Sequence, residues 1–185
     1  MLELEGSAAA LVAVERTALN LAMRLSGIAT ATAVLVAELA GTEVQLADTR
    51  KTTPGWRELE KAAVLAGGGQ NHRMGLWDAA MIKDNHVLVA GDVGEAVRRA
   101  RDAGVQTIIC EVDRLDQIEP ALAAGATRLL LDNMEPDTLR QAVAMARVAG
   151  ATISSFGGER PSVVRSTVAR APSRVWRMSL SPSGV

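Results

Sequence analysis

The sequence predicts an α/β fold, in which parallel strands alternate with helices in an incomplete (β/α) barrel preceded by helices. Through residues 44–153, helical segments end at glycine and short apolar strands follow, which is the order of βα units. The strands are continuous apolar runs, as expected of strands buried on both faces. Polar or charged residues follow nearly every strand, at the end where barrels assemble their sites.

The first third of the chain is predicted to be helical. Apolar residues recur at helical spacing over Ala8–Leu25, which predicts a helix with one buried face. Ser26-Gly27 is expected to end this helix. A second alanine-rich helix is expected over Thr30–Ala40, closed by Gly41.

Strands and helices alternate through the rest of the chain. The predicted strands are Val44–Ala47, Ala79–Ile82, Thr107–Val112, Arg128–Leu131 and Ala151–Ile153. The predicted helices between them are Arg57–Ala66, Val93–Ala103, Leu115–Ala124 and Pro136–Val148. Because (β/α) barrels typically run to roughly 250 residues, we expect a chain of 185 residues to leave its barrel open.

Composition narrows the classes of function. A net charge of −1 creates no overall electrostatic attraction for nucleic acid or an anionic membrane. With no Tyr, one Phe and three Trp, the composition argues against a surface that stacks bases. Cys110 lies in an apolar run, so we expect a buried thiol in a reducing compartment. We find no basic leader before an apolar core and no uncharged apolar stretch long enough to span a bilayer. A cytoplasmic protein without nucleic-acid or membrane partners is predicted.

Residues 48–86 hold most of the distinctive chemistry. Three segments here place cations beside turn residues, namely Asp48–Gly55, Gly67–Arg73 and Lys83–His86. Arginine offers a carboxylate or phosphate a planar fork, and lysine offers a compact charge. Lys83 directly follows a predicted strand, where a cation is costly unless an anion pairs with it. The pattern predicts a site for a small polyanion.

Two acidic residues, Glu111 and Asp132, end neighbouring predicted strands. Two interpretations stay open: they neutralise Lys83 and Arg50, or they hold Mg²⁺ with waters and substrate phosphates completing its shell. A glycine pair after the last predicted strand, at residues 157–158, offers backbone N–H groups to a phosphate. Together these residues predict an enzyme for a multiply anionic substrate, with Mg²⁺ as cofactor.

These segments resemble the signature of the quinolinate phosphoribosyltransferase family (nicotinate-nucleotide pyrophosphorylase, carboxylating). The likeness runs from about Leu2 to Gly158 and rests on Glu15–Asn20, Leu25–Thr30, Asp48–Gly55, Gly67–Arg73, Ile82–His86 and Leu131–Met134. It implies a barrel of the type II phosphoribosyltransferase kind and a pentosyltransferase activity. Such an enzyme transfers phosphoribosyl from phosphoribosyl pyrophosphate to quinolinate, releasing CO₂ and pyrophosphate and giving nicotinate mononucleotide for NAD biosynthesis.

The resemblance also implies roles for individual residues. Arg50, His72, Arg73 and Lys83 would bind the quinolinate carboxylates, with Arg16 supplied across the interface of a homodimer or hexamer of dimers. Lys51 would assist at the phosphoribosyl substrate. Glu111 and Asp132 would hold the ribose hydroxyls and Mg²⁺-pyrophosphate. The candidate catalytic residues are thus Lys51, Lys83, Glu111 and Asp132, and Gly157 and Gly158 are added as substrate-binding residues.

The chain departs from the family pattern at both ends. We expect the family's N-terminal sandwich domain to be missing, with a remnant linker strand and helix at residues 1–26, a partial barrel at 27–158 and a divergent tail at 159–185. Ser154 and Phe156 stand where the family has Glu and Ser. The isolated chain is therefore expected to be weak or inactive. Two alternatives stay open: a paralogous phosphoribosyltransferase-like protein with another acceptor, and a non-catalytic binding or dimerisation remnant.

Overall fold

A four-stranded parallel sheet forms the centre of the molecule. The computed structural model describes residues 5–155. The strands are β1 (Ala80–Ile82), β2 (Ile108–Val112), β3 (Arg128–Leu131) and β4 (Thr152–Ser155). They lie side by side in chain order, each parallel to the next. The predicted α/β class and parallel strand order are confirmed.

Helices precede the sheet and connect its strands. They are α1 (Ala8–Glu38), α2 (Arg57–Ala66), α3 (Asp84–Ala90), α4 (Val93–Asp102), α5 (Ile118–Ala124) and α6 (Pro136–Val148), with a 3-10 turn at Leu115–Gln117. The predicted helices and strands from residue 57 onward agree with these bounds to within two residues at each end, with one exception. The helix predicted from Leu115 starts as the 3-10 turn and becomes an α-helix only at Ile118. The predicted linker strand from Leu2, the glycines at 157–158 and the tail at 159–185 lie outside the described residues.

The two faces of the sheet have different surroundings. Ile82, Cys110, Leu129 and Ile153 align across the four strands and belong to the main core, which also contains buried residues of α4, α5 and α6. On the opposite face Ala79, Ile109 and Leu130 form a second, smaller apolar cluster. Strand residues two apart share a face, so this second face also carries Glu111 and continues past β1 to Lys83.

Three predictions in the first part of the chain are wrong. The helix over Ala8–Leu25 has no buried face, since none of its residues is buried and Val14 is 52% exposed.

The other two concern the bounds of elements. The helix break at Ser26-Gly27 is absent, and α1 runs through it. Glycine in a helix costs only about 1 kcal/mol, which is too little to end a helix that packs along α2. The strand at Val44–Ala47 is reduced to a single parallel bridge between Ala47 and Gln70, because its partner is a loop segment that turns away toward Asn71.

Helix α3 was not predicted. It begins directly after Lys83, and the Lys83 backbone N–H donates to His86 Nδ1 at 3.1 Å. The side chain of His86 therefore satisfies a donor at the start of this helix, as a capping residue does. A single residue, Lys83, separates the end of β1 at Ile82 from the start of α3 at Asp84.

Helix α1 is long and apolar enough, by length and composition alone, to cross a membrane. Charges at Glu15, Arg16 and Arg24 interrupt it. Its uncharged part, Leu25–Ala37, is shorter than the roughly 20 apolar residues that a span needs. One side of α1 packs on α2, where Thr32 is buried. We interpret α1 as a helix that packs against protein.

Candidate active site

An ion pair joins the ends of the first two strands. Lys83 Nζ lies 2.5 Å from Glu111 Oε2, with the lysine side chain 44% exposed and the glutamate 14% exposed. The carboxylate of Glu111 is therefore the more buried partner, and the ammonium of Lys83 is the one that reaches solvent. Of the two interpretations of Glu111 from the sequence, pairing with Lys83 is confirmed.

Asp132 lies on the same face, one strand further along. Its backbone N–H donates to Val112 O at 3.0 Å, which extends the β2–β3 ladder beyond Leu131. Glu111 is paired with Leu130, and Asp132 follows Leu130 by two residues, so both carboxylates project to one side. Asn133 then takes a left-handed conformation with φ of 50° and donates to Asp132 Oδ2 at 3.2 Å. Asn133 therefore occupies Oδ2 of Asp132 and makes no hydrogen bond to Oδ1.

The two carboxylates fit Mg²⁺ only together with ligands from a substrate. Within residues 5–155, no three His, Cys, Asp or Glu side chains gather as a metal site. Glu111 also accepts a hydrogen bond from Lys83. Because Mg²⁺ is usually held by one or two carboxylates plus waters and substrate phosphates, this donor set suits an ion that arrives with a phosphorylated substrate.

Arg73 is a buried cation that lies against β1. It is 9% exposed, and it donates from Nη1 to Ala79 O at 3.0 Å and from Nη2 to Met81 Sδ at 3.0 Å. Its Nε is buried without an acceptor, and no carboxylate of the described residues forms an ion pair with it. Burial lowers the pKa of Arg73, the charge of Arg50 lowers it further, and the carboxylate of Asp78 opposes them. A buried, unpaired guanidinium is costly, so the position suits an anionic ligand.

His72 lies next to Arg73 and is half-buried. Burial lowers the pKa of its imidazole, the charges of Arg73, Arg128 and Lys61 lower it further, and Asp48 opposes them. Since an unperturbed histidine titrates near pH 6.5, His72 is neutral at pH 7. It can donate or accept a hydrogen bond there, but it adds no positive charge.

Arg50 and Lys51 follow one another in the chain and face different surroundings. The effect of Arg50 on the pKa of Arg73 places its charge near that guanidinium. Lys51 is exposed and lines a cavity of about 240 Å³ between α1 and α2, whose charged lining also includes Arg24, Asp48, Glu60 and Lys61. Neither Arg73 nor Lys83 lines this cavity. Arg50 thus acts on Arg73 through its charge, and Lys51 belongs to the lining of this cavity.

The other predicted site residues are not brought into this group. Arg16 is exposed on α1 and makes no hydrogen bond or ion pair with the other candidates in the described part of the chain. Its role stays a prediction. Gly157 and Gly158 lie outside the described residues. Cys110 is fully buried, and burial raises the pKa of its thiol to about 12, so its predicted place in the core is confirmed.

Sequence reasoning missed the charged residues of α2 that hold the site loops. Lys61 is 1% exposed and forms an ion pair with Asp48, while Glu60 is 8% exposed and accepts from Arg24 Nε at 3.0 Å. The sequence did contain an indication of this burial, because Glu60 and Lys61 share the apolar side of a short helix with Ala63 and Val64. Charges there need partners.

Comparisons with known proteins all lead to one family. A family model described as quinolinate phosphoribosyl transferase, C-terminal domain, matches residues 28–166. A protein of Bacillus subtilis (strain 168), named "Probable nicotinate-nucleotide pyrophosphorylase (carboxylating)", is 51% identical over 140 residues, which are 75% of this chain and 48% of the relative. The nicotinate-nucleotide pyrophosphorylase (carboxylating) of Homo sapiens is 43% identical over 162 residues, covering 84% of this chain and 54% of its own.

Solved structures show the same likeness. The crystal structure of NadC from Streptococcus pyogenes matches with a TM-score of 0.78 and 41% identity, covering 84% of this chain and 55% of that one. The nicotinate-nucleotide pyrophosphorylase of Ehrlichia chaffeensis matches with a TM-score of 0.72 and 37% identity, covering 77% and 52%. The chain thus spans about half the length of the relatives it matches.

Proposed function

The chain belongs to the quinolinate phosphoribosyltransferase family, and from this membership we propose that it acts in phosphoribosyl transfer from phosphoribosyl pyrophosphate to quinolinate. The products are nicotinate mononucleotide, CO₂ and pyrophosphate, in NAD biosynthesis. We place the protein in the cytoplasm, as a homodimer or hexamer of dimers in which Arg16 acts across the interface.

The observation that carries the proposal is the buried guanidinium of Arg73. Within residues 5–155 it has no carboxylate partner, it lies within the electrostatic reach of Arg50, and its Nη2 contacts Met81. Lys83 follows Met81 by two residues and therefore projects to the same face. One positive charge lies beside β1 and the other follows its end, and such a pair suits a small ligand with two carboxylates. Quinolinate is such a ligand, and neutral His72 supplies it with a hydrogen bond.

The acidic residues suit the second substrate. In the proposed reaction, positive charge develops on the ribose as pyrophosphate leaves, and the carboxylates of Glu111 and Asp132 stabilise that charge and bind the ribose hydroxyls. Mg²⁺, when bound with the pyrophosphate, neutralises the leaving group. Lys51 offers its exposed ammonium to the phosphates. Lys83 contributes to the binding of both substrates, because it binds a quinolinate carboxylate and also holds Glu111 in place for the ribose.

Calorimetry with the purified chain tests the proposal. We expect quinolinate to bind more tightly than nicotinate, which has one carboxylate fewer. Lys83→Met should weaken quinolinate binding by about ten-fold or more, because a hydrogen bond to a charged group contributes about 1.5–3 kcal/mol. Arg99→Met is the matched control, since Arg99 also forms an exposed ion pair, with Glu95 on α4.

The outcomes separate the alternatives. Formation of nicotinate mononucleotide from quinolinate, phosphoribosyl pyrophosphate and Mg²⁺ supports the enzyme. Binding without turnover supports the non-catalytic module, and a preference for nicotinate supports the paralogous enzyme. A chain that binds neither pyridine carboxylate, or a Lys83→Met variant that binds quinolinate as well as the unchanged chain, contradicts the proposed site.

A further inference from the structure

Asp48 links α2 to the segment that carries His72 and Arg73. Its carboxylate forms an ion pair with the buried Lys61 of α2, and its Oδ1 also accepts from the His72 backbone N–H at 2.7 Å. With its amide nitrogen facing Asp48, Asn71 donates to Oδ2 at 2.8 Å. One buried carboxylate thus fixes the backbone at His72 relative to α2.

Arg57, one turn earlier on α2, makes a second link between the same segments. Its Nη2 donates to Arg50 O at 3.2 Å and its Nη1 to Met74 O at 3.0 Å. Its Nε also contacts Thr52 Oγ1 at 3.3 Å. The guanidinium is planar and rigid, so one side chain sets the spacing between the main chain at Arg50 and the main chain just after Arg73.

Glu60 anchors the end of the first loop. Its Oε2 accepts from the Thr53 backbone N–H at 3.2 Å, and its Oε1 accepts from Arg24 at 2.5 Å. The hydrogen bonds to Arg24 and Thr53 lower the pKa of Glu60, so it is ionised at neutral pH. Asp48 at the start of the loop and Thr53 at its end are therefore both held by adjacent residues of α2.

We propose that Arg57 and the Lys61–Asp48 pair are positioning residues, which set the separation of Arg50 from His72 and Arg73. This inference rests on the proposed function for its consequence in binding. A buried ion pair adds little net stability compared with apolar residues of the same size. The specific contribution of these residues is geometric. Arg57 and Asp48 each hydrogen-bond to the main chain of a loop that carries a ligand-binding side chain, and Lys61 pairs with Asp48.

The first test compares Arg57→Gln with the control Glu58→Gln, which changes an exposed residue of the same helix. Backbone amide hydrogen exchange is followed across the chain. In Arg57→Gln we expect exchange at residues 48–53 and 71–74 to rise by about ten-fold or more, while β2 and β3 keep their protection. Glu58→Gln should leave both loops unchanged.

Ligand binding supplies the second readout. A displacement of about 1 Å in a positioned group can cost up to 100-fold, so Arg57→Gln should weaken quinolinate binding by ten-fold or more. The urea midpoint of unfolding should move little. Arg57→Lys should restore only part of the affinity, because one ammonium does not reproduce the planar fork that joins Arg50 to Met74.

A second variant covers the case in which Arg57→Gln fails to fold. The double variant Asp48→Asn with Lys61→Met removes both charges together and leaves no lone buried charge. It should fold and show the same loop-specific exchange at 71–74. Equal loss of protection in the loops and in β2–β3 overturns the inference, as does unchanged exchange in both loops. If the unchanged chain binds no quinolinate, the proposed function fails, and the exchange pattern alone decides the positioning role.

Discussion

Lys61 and Arg73 are both buried cations, and their surroundings give them different roles. Lys61 is paired with Asp48, so its charge is compensated within the protein. Arg73 has two hydrogen-bond acceptors in Ala79 O and Met81 Sδ, yet no carboxylate partner in the described part of the chain. A compensated buried charge holds structure, whereas an uncompensated one favours an anionic ligand.

The lowered pKa of His72 predicts how stability depends on pH. The unfolded chain, in which histidine titrates near pH 6.5, binds a proton more readily than the folded protein. The contribution of neutral His72 is therefore fully present above about pH 6.5 and is lost as pH falls toward the folded pKa. We expect the free energy of unfolding to fall less on acidification to pH 5.5 in His72→Gln than in the unchanged protein.

Nuclear magnetic resonance of the imidazole Cε1–H group checks the cause of that change. His72→Gln assigns the resonance by removing it. Its midpoint in the unchanged protein should lie below 6.5. A midpoint at or above 6.5 contradicts the burial of His72 next to Arg73 that the structure shows.

At the level of single residues, sequence was a good guide to Lys83 and a poor guide to Lys61. A cation directly after an apolar run can be recognised in the sequence itself. The structure pairs Lys83 with Glu111, which is one of the two interpretations that the sequence left open. The burial of Lys61 depends on Asp48, which α2 meets only after the chain has folded back. Arg57 escaped prediction for the same reason, because its acceptors are main-chain carbonyls.

Helices α1 and α2 meet at a point where only glycine fits. A Cβ added at Gly67 would lie 2.6 Å from Thr32 Cβ and would also collide with the backbone oxygen of Ala29. The φ angle of Gly67 is −79°, so its backbone is one that any residue adopts. Space alone therefore excludes a larger side chain, and the contact sets how closely the two helices approach.

Two glycine substitutions should have opposite effects. Gly67→Ala should lower the free energy of unfolding by about 1–3 kcal/mol, the usual cost of overpacking. Gly27→Ala should raise it by about 0.5–1 kcal/mol, because alanine suits a helix interior better than glycine. At Gly27 an added Cβ would meet no atom within 4 Å. Urea unfolding monitored by circular dichroism measures both, and destabilisation by Gly27→Ala would argue for the predicted break in α1.

At the level of elements, prediction succeeded where the signals were local. Helix α6 was predicted with its observed ends because Pro136 opens it and Gly150 follows it, and strand β3 consists of three consecutive leucines after Arg128. The errors fall where distant contacts decide. Packing against α2 carries α1 through Gly27, and the segment before Asp48 pairs with Gln70 instead of joining the sheet.

Across the whole molecule, α1 presents an exposed apolar stripe. Residues spaced by three or four lie on one side of a helix, and this spacing aligns Val12, Leu19 and Met23 with Arg16. Val12 is 73% exposed and Met23 69% exposed. Val34, further along, continues the stripe and is also exposed. Contiguous exposed apolar residues mark an interaction surface, and their alignment with Arg16 supports the proposed homodimer.

Sedimentation velocity tests this surface. We expect the unchanged chain to associate, and Met23→Lys to raise the dissociation constant by ten-fold or more, because it places a charge in the apolar stripe. Val14→Lys is the matched control, since Val14 is 52% exposed and lies on the other side of α1. Equal association of all three proteins would exclude the stripe as the interface.

The strand order has a consequence for folding. Each strand of the sheet pairs with the strand that comes next in the chain, so no pairing has to wait for a distant segment. Loop closure is the slow and entropically costly part of sheet formation. Here each closure spans only the helices between two successive strands, which are α3 and α4, then the 3-10 turn and α5, then α6. We therefore expect each strand with its preceding helices to join the sheet in chain order during synthesis. Each new strand would pair with the edge strand that left the ribosome before it.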